Sequence, residues 1–328
     1  MLFSFLVKDL IKLNTTYSND YDFQITGVSS SSNPQNNTLL FCKRIKEDTF
    51  ATFAEFKNCV IIVPERHSQE VDFLRIENFV IGAKNPRIEY ARILQYILQD
   101  TRPQSNGKSV CEASFVGRNF KVGTETVIGS NVVIGNHVHI GCNCIIEAGV
   151  VINDFVRIAD YTIVRANAVL GSQGFGFEKD EQGIPIRVPH LGGVEIGSYV
   201  EIGAMAIIAA GTIEPTVIED YVKIDAHVHI AHNCHIGKGC LITACAEISG
   251  SVKIGEYSWL GPNCSIINKI SIGKYCLVGI GAVLKKSIPD EMVVAGDPAR
   301  SLEEIKIENN LQKNLLEAYK NGKLKFIV

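Results

Sequence analysis

No run of lysine and arginine occurs anywhere in these 328 residues, and 32 basic side chains against 35 acidic ones leave a net charge of −3. A polyanion-binding surface needs a concentrated basic patch, so nucleic acid is excluded as an expected partner. Long apolar runs are missing too. The opening MLFSFLV is seven residues long and then meets Lys8 and Asp9. That is too short for a membrane span, and it lacks the basic flank and cleavage site of a secretion signal. The stretch suits an amphipathic first helix instead. Zinc-type cysteine spacing is also absent, since CNC at 142–144 stands alone. Ten cysteines without a secretory signal predict free thiols in a reducing compartment, the cytoplasm.

What is present is a period of six. From Val116 every sixth residue through Leu170 is aliphatic, and from Ile218 every sixth residue through Leu284 is aliphatic as well. Neither a helix nor an ordinary alternating strand generates that period. A fixed hexapeptide repeat predicts a parallel β-helix, each hexapeptide being a short strand and a corner, with three to a coil of eighteen residues. The aliphatic points into a narrow prism. A small residue stands two places before it, and Cys144, Cys234, Cys240, Cys264 and Cys276 occupy that position. Their expected role is to fill the interior as small hydrophobes.

The rhythm breaks twice. Residues 171–195, GSQGFGFEKDEQGIPIRVPHLGGVE, interrupt it with a polar, glycine- and proline-containing insertion. It resumes at Ile196, Ile202 and Ile208 displaced by two, and a step of ten to Ile218 restores the phase. A long excursion from a rigid prism predicts function. The domain plan that follows is a small α/β domain over 1–98, a linker over 99–114, the β-helix over 115–288 with its inserted loop 171–195, and a turn with a capping helix over 289–328. In the first domain CVIIVP and NFVIGA read as strands and NPRIEYARILQYILQ as a helix.

Four of the eight histidines fall in HVHIAHNCH, 227–235. With Ile230 inward, His227, His229, His232 and His235 all lie outside the prism. His232 sits at a corner, two residues past the aliphatic, where a side chain can reach into a groove. One coil further is Gly250, whose backbone N–H would be free to face a developing oxyanion. An imidazole so placed suits a general base.

The small N-terminal domain ending in NPRIEYARIL, the GSQGFGFE…PHLGGVEIG excursion and IAHNCHIG together resemble the UDP-3-O-acylglucosamine N-acyltransferases of lipid A biosynthesis, over nearly the whole chain. The resemblance implies a left-handed β-helix and a homotrimer with parallel prisms and active sites between neighbours. It implies that His232 takes the proton of a sugar amine as the amine attacks an acyl thioester, with the Gly250 N–H on the oxyanion. It assigns substrate contacts to Gly174, Phe175 and Gly176 of the loop, to His190, to Asn233, and to Phe41 of the N-terminal domain as one wall of a uracil site. The second wall, a tyrosine six residues on, is Glu47 here. The family's second histidine is Lys269, which keeps a charge for phosphate, and its IDRG segment is IAAG at 208–211. VVAGDPAR resembles the GNPA turn of coenzyme A-dependent hexapeptide acyltransferases, so Gly296, Pro298 and Ala299 are expected beside the donor. The implied reaction uses acyl-CoA or acyl carrier protein as co-substrate, no tightly bound cofactor and no metal. Its acceptor is a nucleotide-linked amino sugar for surface polysaccharide or lipopolysaccharide. The lipid A reaction with acyl carrier protein is the main alternative. Hexapeptide prisms also serve as zinc carbonic anhydrases, but that class needs a histidine where Leu191 stands.

Overall fold

The structure is a computed structural model. It describes residues 5–7, 23–43, 53, 55–67, 77–99 and 114–296, together with residues 310, 313 and 317, which are helical. The chain divides into two compact units, Met1–Pro103 and Gln104–Val328.

In the first unit four parallel strands, Gly27–Val28, Thr38–Phe41, Val60–Pro64 and Phe79–Ala83, form one sheet in chain order. Val60–Pro64 is buried at every residue, as a central parallel strand requires. The helix Pro86–Gln99 carries proline at its first position, and the Asn85 side chain accepts from the Arg87 and Ile88 N–H groups. Ile93 and Ile97, four apart, pack it onto Leu39, Val60 and Phe79. The expected first helix does not begin at residue 1. Phe5–Leu6 is instead a strand, paired antiparallel with Gln24–Ile25, and helical geometry starts at Val7. Pairing with a distant segment overrides the local helical pattern there.

In the second unit the hexapeptides build three parallel sheets of nine, eight and nine strands among the described residues. Each strand pairs with the one a coil away, so the inward aliphatics stack in register: Ile218 on Ile236, Ile236 on Ile254, Ile254 on Ile272. Every aliphatic of the repeat from Ile128 to Leu170 and from Ile218 to Leu284 is buried. Each contributes roughly 1.5–3 kcal/mol of transfer free energy. Val116 and Val122 depart from the pattern: Val116 is 38% exposed and Val122 is half-buried, and among the described residues each pairs with a neighbouring coil on one side only.

The small inward position does more than fill space. Thr126, Thr162 and Ser258 donate from their hydroxyls to the backbone carbonyls of Gly141, Gly197 and Gly273 at 2.7–2.9 Å. Cys144, Cys234, Cys240 and Cys276 direct their thiols at equivalent carbonyls at 3.1–3.2 Å. Inward-facing corner carbonyls would otherwise be dry and unpaired. All five cysteines at the small inward position are buried and free. Burial pushes the thiols of Cys234, Cys240 and Cys264 up to about 11, which makes them poor nucleophiles.

Corners turn through left-handed residues. Asparagine tolerates this and is frequent there (Asn131, Asn143, Asn167, Asn263), but Tyr161, Tyr199, Tyr221, Tyr257 and Tyr275 adopt it too. Their rings stack along one edge of the prism: Tyr161 on Tyr199, Tyr199 on Tyr221, and Tyr257 on Tyr275, with centroids 4.9–5.4 Å apart. Aromatic contact offsets part of the backbone strain.

Ile158 pairs with Ile196, thirty-eight residues on, and Ile196 with Ile218, twenty-two on. The excesses over one coil, twenty and four, make four whole hexapeptides, which is why the phase returns. The strand Val169–Ser172 extends into the expected loop, and Val194–Ile196 begins before its expected end, so the free excursion is 173–193. It contains an antiparallel hairpin, Phe177–Lys179 with Pro185–Arg187.

Candidate active site

The corner after His229–Ile230 places His232 at the rim of a cleft of about 430 Å3. The loop supplies Gln173, Gly174 and Phe175 to it, and successive coils supply His229, Glu247, Ser249, Gly250 and Lys269. His232 Nδ1 lies 2.9 Å from Asn233 Oδ1. Asn233 is itself fixed by the second excursion. Its Oδ1 accepts from the Thr212 N–H at 3.2 Å and the Thr212 hydroxyl at 2.8 Å, its Nδ2 donates to the Glu214 carbonyl, and its N–H donates to Thr216 Oγ1. A backbone N–H can only donate, so Oδ1 is the acceptor end of the amide. The proton on this edge of the imidazole is therefore on Nδ1, and Nε2 carries the lone pair. The resemblance gave Asn233 to substrate; the structure gives it to the orientation of His232, with both ends of its amide engaged.

Gly250 meets the other edge of the same ring. A Cβ built there would lie 2.7 Å from His232 Cε1 and Nε2, so a larger residue would push the imidazole aside. The Gly250 carbonyl accepts from the Lys269 N–H and the Ser251 N–H goes to the His232 carbonyl; no hydrogen bond occupies the Gly250 N–H among the described residues. The expected stacking of Gly250 on His232 is present. The exposed Lys269 stands on the next coil and lines the cleft.

The loop closes on this corner through His190. Gln173 clamps it, accepting from the His190 N–H at 2.9 Å and donating to its carbonyl at 3.0 Å. The His190 ring is 3% exposed and meets His232 edge to face, with centroids 4.9 Å apart. Gly174 and Gly176 press against it so closely that a Cβ on either would fall within 2.8 Å of the ring. Neither ring nitrogen has a hydrogen-bond partner among the described residues. Phe175 stands just before the hairpin, 87% exposed, edge-on to Phe177, which in turn carries the Arg187 guanidinium on its face.

Burial, and then the neighbouring His232, hold the His190 imidazole below its ordinary range. The native protein thus keeps His190 neutral where the unfolded chain, with a pKa of about 6.5, takes up a proton. The stability this contributes is complete above about pH 6.5 and falls as pH drops towards the native pKa. His190→Gln should flatten the decline in melting temperature between pH 7.5 and 5.5, measured by scanning fluorimetry; equal declines in the two proteins would contradict the assignment.

In the N-terminal unit Phe41 lines a separate cleft of about 620 Å3 with Lys43, Arg87 and Tyr90. Tyr90, on the helix, sits 4.8 Å from Phe41 and supplies an aromatic neighbour that sequence spacing did not reveal. Glu47 lies outside the described residues, as do Pro298 and Ala299. Gly296 packs on the Gly281 backbone, with a Cβ position 2.8 Å from it. A depression of about 420 Å3 beside Arg165, Glu201, Lys223 and Trp259 lies on a different face. Its charges are internally matched: Arg165 bridges Glu147 and Glu201, and Lys223 donates to the Tyr199 carbonyl. It offers no base.

A prism of stacked hexapeptides with one histidine held at a corner defines a class, and residues 137–172 and 215–250 match the bacterial transferase hexapeptide (six repeats) family. The prism shares its left-handed β-helix with the UDP-N-acetylglucosamine acyltransferase from Campylobacter jejuni, at a TM-score of 0.52 and 24% identity over 64% of this chain and 83% of that one. Within the class the chain is similar to UDP-3-O-acylglucosamine N-acyltransferases, as its motifs suggested. The protein of that name from Janthinobacterium sp. (strain Marseille) is 34% identical over 132 residues, 40% of this chain and 37% of that protein. The probable UDP-3-O-acylglucosamine N-acyltransferase 2, mitochondrial, of Arabidopsis thaliana is 36% identical over 147 residues, 45% of this chain and 48% of that one. The chain thus spans less than half the length of these curated relatives.

Proposed function

We propose that the protein is an N-acyltransferase, moving an acyl group from a thioester to the amine of a nucleotide-linked amino sugar for surface polysaccharide or lipopolysaccharide. The observation that carries this reading is the His232 corner: Nδ1 on Asn233, Nε2 against the Gly250 backbone, and a cleft open to both. The acceptor amine attacks the thioester carbonyl, and Nε2 takes its proton as the C–N bond forms. The carbonyl oxygen gains charge and is met by the Gly250 N–H. Collapse of the tetrahedral intermediate breaks the C–S bond, and the thiolate recovers the proton from the imidazolium. Lys269 offers a cation to the acceptor's phosphates, and Phe175 an exposed aromatic surface at the cleft. Phe41 and Tyr90, with Arg87 and Lys43 at their rim, suit a nucleobase and its phosphates. The assembly in this proposal is a homotrimer, and the compartment is the cytoplasm; no helix among the described residues is long and apolar enough to cross a membrane.

The proposed donor is acyl-CoA, on the strength of the Gly296–Asp297–Pro298–Ala299 sequence just past the last coil. The names of the curated relatives favour a second reading, transfer to UDP-3-O-acylglucosamine; the donor proposed with it is acyl carrier protein. Thiol release measured with acetyl-CoA and with matched acyl carrier protein, each against UDP- and dTDP-linked amino sugars, tests both. Turnover with coenzyme A is expected. A kcat/KM at least about tenfold higher with the carrier protein would return the chain to the second reading, and no release with any pair would overturn acyl transfer.

A further inference from the structure

The cleft beside His232 has a wall that the mechanism above does not use. His229 and Glu247 occupy the outward positions next to the inward Ile230 and Ile248, directly paired across adjacent coils. His229 Nδ1 lies 2.6 Å from Glu247 Oε1. Their neighbours along the same column, Ile207 on one side and Ser265 on the other, carry no charge. Both side chains are between 40% and 49% exposed. An ion pair that open contributes little to stability, so the fold does not require it. A second pair of the same chemistry, His235 with Glu219 at 2.9 Å, lies on another face; there Glu219 also accepts from the Lys238 N–H, and neither residue lines the cleft.

From this placement we infer that Glu247 and His229 are acceptor-positioning residues: they bind a hydroxyl of the sugar next to its amine and so aim that amine at His232. This rests on the acyl-transfer reading. The chemistry is specific. The carboxylate can only accept hydrogen bonds, and one of its oxygens faces His229. The other oxygen and His229 Nε2 remain for a ligand. Together they suit a hydroxyl that donates to the carboxylate while it accepts from the Nε2–H of the protonated imidazole. Two residues separate His229 from His232, and they share one cleft, so a hydroxyl held by the pair sits beside an amine held at Nε2 of His232. Lys269 lines the same cleft from the following coil, where a phosphate would balance its charge. A charged, hydrogen-bonding wall also disfavours an apolar acyl chain at that hydroxyl, because the pair would then be desolvated without a partner. The acceptor class this selects is an amino sugar whose hydroxyl next to the amine is free.

The experiment uses the full chain, acetyl-CoA and two acceptors: UDP-glucosamine, with its amine at C2, and a dTDP-linked hexose with its amine at C4. Glu247→Gln keeps the shape of the wall and removes its charge. It should raise the acceptor KM by roughly tenfold or more, the scale of a hydrogen bond to a charged group, and leave the acetyl-CoA KM unchanged. Glu219→Gln, in the pair outside the cleft, should change neither. An acceptor lacking the hydroxyl next to the amine should bring the wild type down to the level of Glu247→Gln and affect that variant no further. Equal acceptor KM values for the wild type and Glu247→Gln, within twofold, would overturn the inference and leave acyl transfer standing. A wild type that releases no thiol with either acceptor, from acetyl-CoA or from acyl carrier protein, would overturn the acyl-transfer reading and this inference with it.

Discussion

His232→Ala should lower kcat by roughly 10²–10⁴, the usual contribution of a general base, while leaving the fold intact. The side chain stands at a corner, outside the column of aliphatics, and the main-chain bond from the Ser251 N–H to its carbonyl does not depend on the ring. Loss of the imidazole removes the acceptor for the amine proton and leaves Gly250 in place, so residual turnover through the oxyanion contact is expected. The measurement is steady-state thiol release, with circular dichroism and melting temperature as the check on folding. A correctly folded variant that keeps more than about a third of the wild-type kcat would remove His232 from the mechanism.

The second large effect concerns stability. Ile236 is fully buried and stacks between Ile218 and Ile254. Ile236→Asp would put a carboxylate among aliphatics with no partner, at a cost of about 3 kcal/mol or more. For a unit of this size that corresponds to a melting temperature roughly 10 °C lower. His235→Gln, one residue away and pointing outward, should stay within about 0.5 kcal/mol. Its present partner, Glu219, keeps its hydrogen bond from the Lys238 N–H. Chemical denaturation of the two variants side by side measures the difference. Equal destabilisation would mean that the inward and outward positions of the repeat are wrongly assigned.

The prism was legible in the sequence because its period is rigid. Once Ile230 points inward, the sides of His229, His232 and Ile236 follow, and Gly250 falls one coil beyond His232. The same arithmetic places Glu247 one coil beyond His229. That signal was present and unused, because two outward polar residues on a strand are ordinarily solvated. The loop was recognisable only as an interruption. No period governs 173–193, so the folding of His190 against His232 under the clamp of Gln173 depends on contacts that residue spacing does not encode. The orientation of His232 was hidden for a similar reason. It depends on Thr212 and Glu214 in an insertion that registers in the repeat only as a lost phase. In the N-terminal unit the approach of Tyr90 to Phe41 joins a helix to a strand fifty residues apart, and the Phe5–Leu6 strand exists only through its pairing with Gln24–Ile25.

The chain leaves the prism after Ser172, where a bulge marks the pairing of Val169–Ser172 with Ile207–Ala209, and rejoins it at Val194 in register, since Ile158 meets Ile196 as directly as Ile140 meets Ile158. The scaffold and the excursion are therefore separable parts joined at a fixed socket. A different arm can be carried on the same spine so long as its two ends arrive at that socket. Natural variation can accordingly re-tool what this corner accepts by exchanging some twenty residues, while the stack of coils that holds the base in place is inherited unchanged.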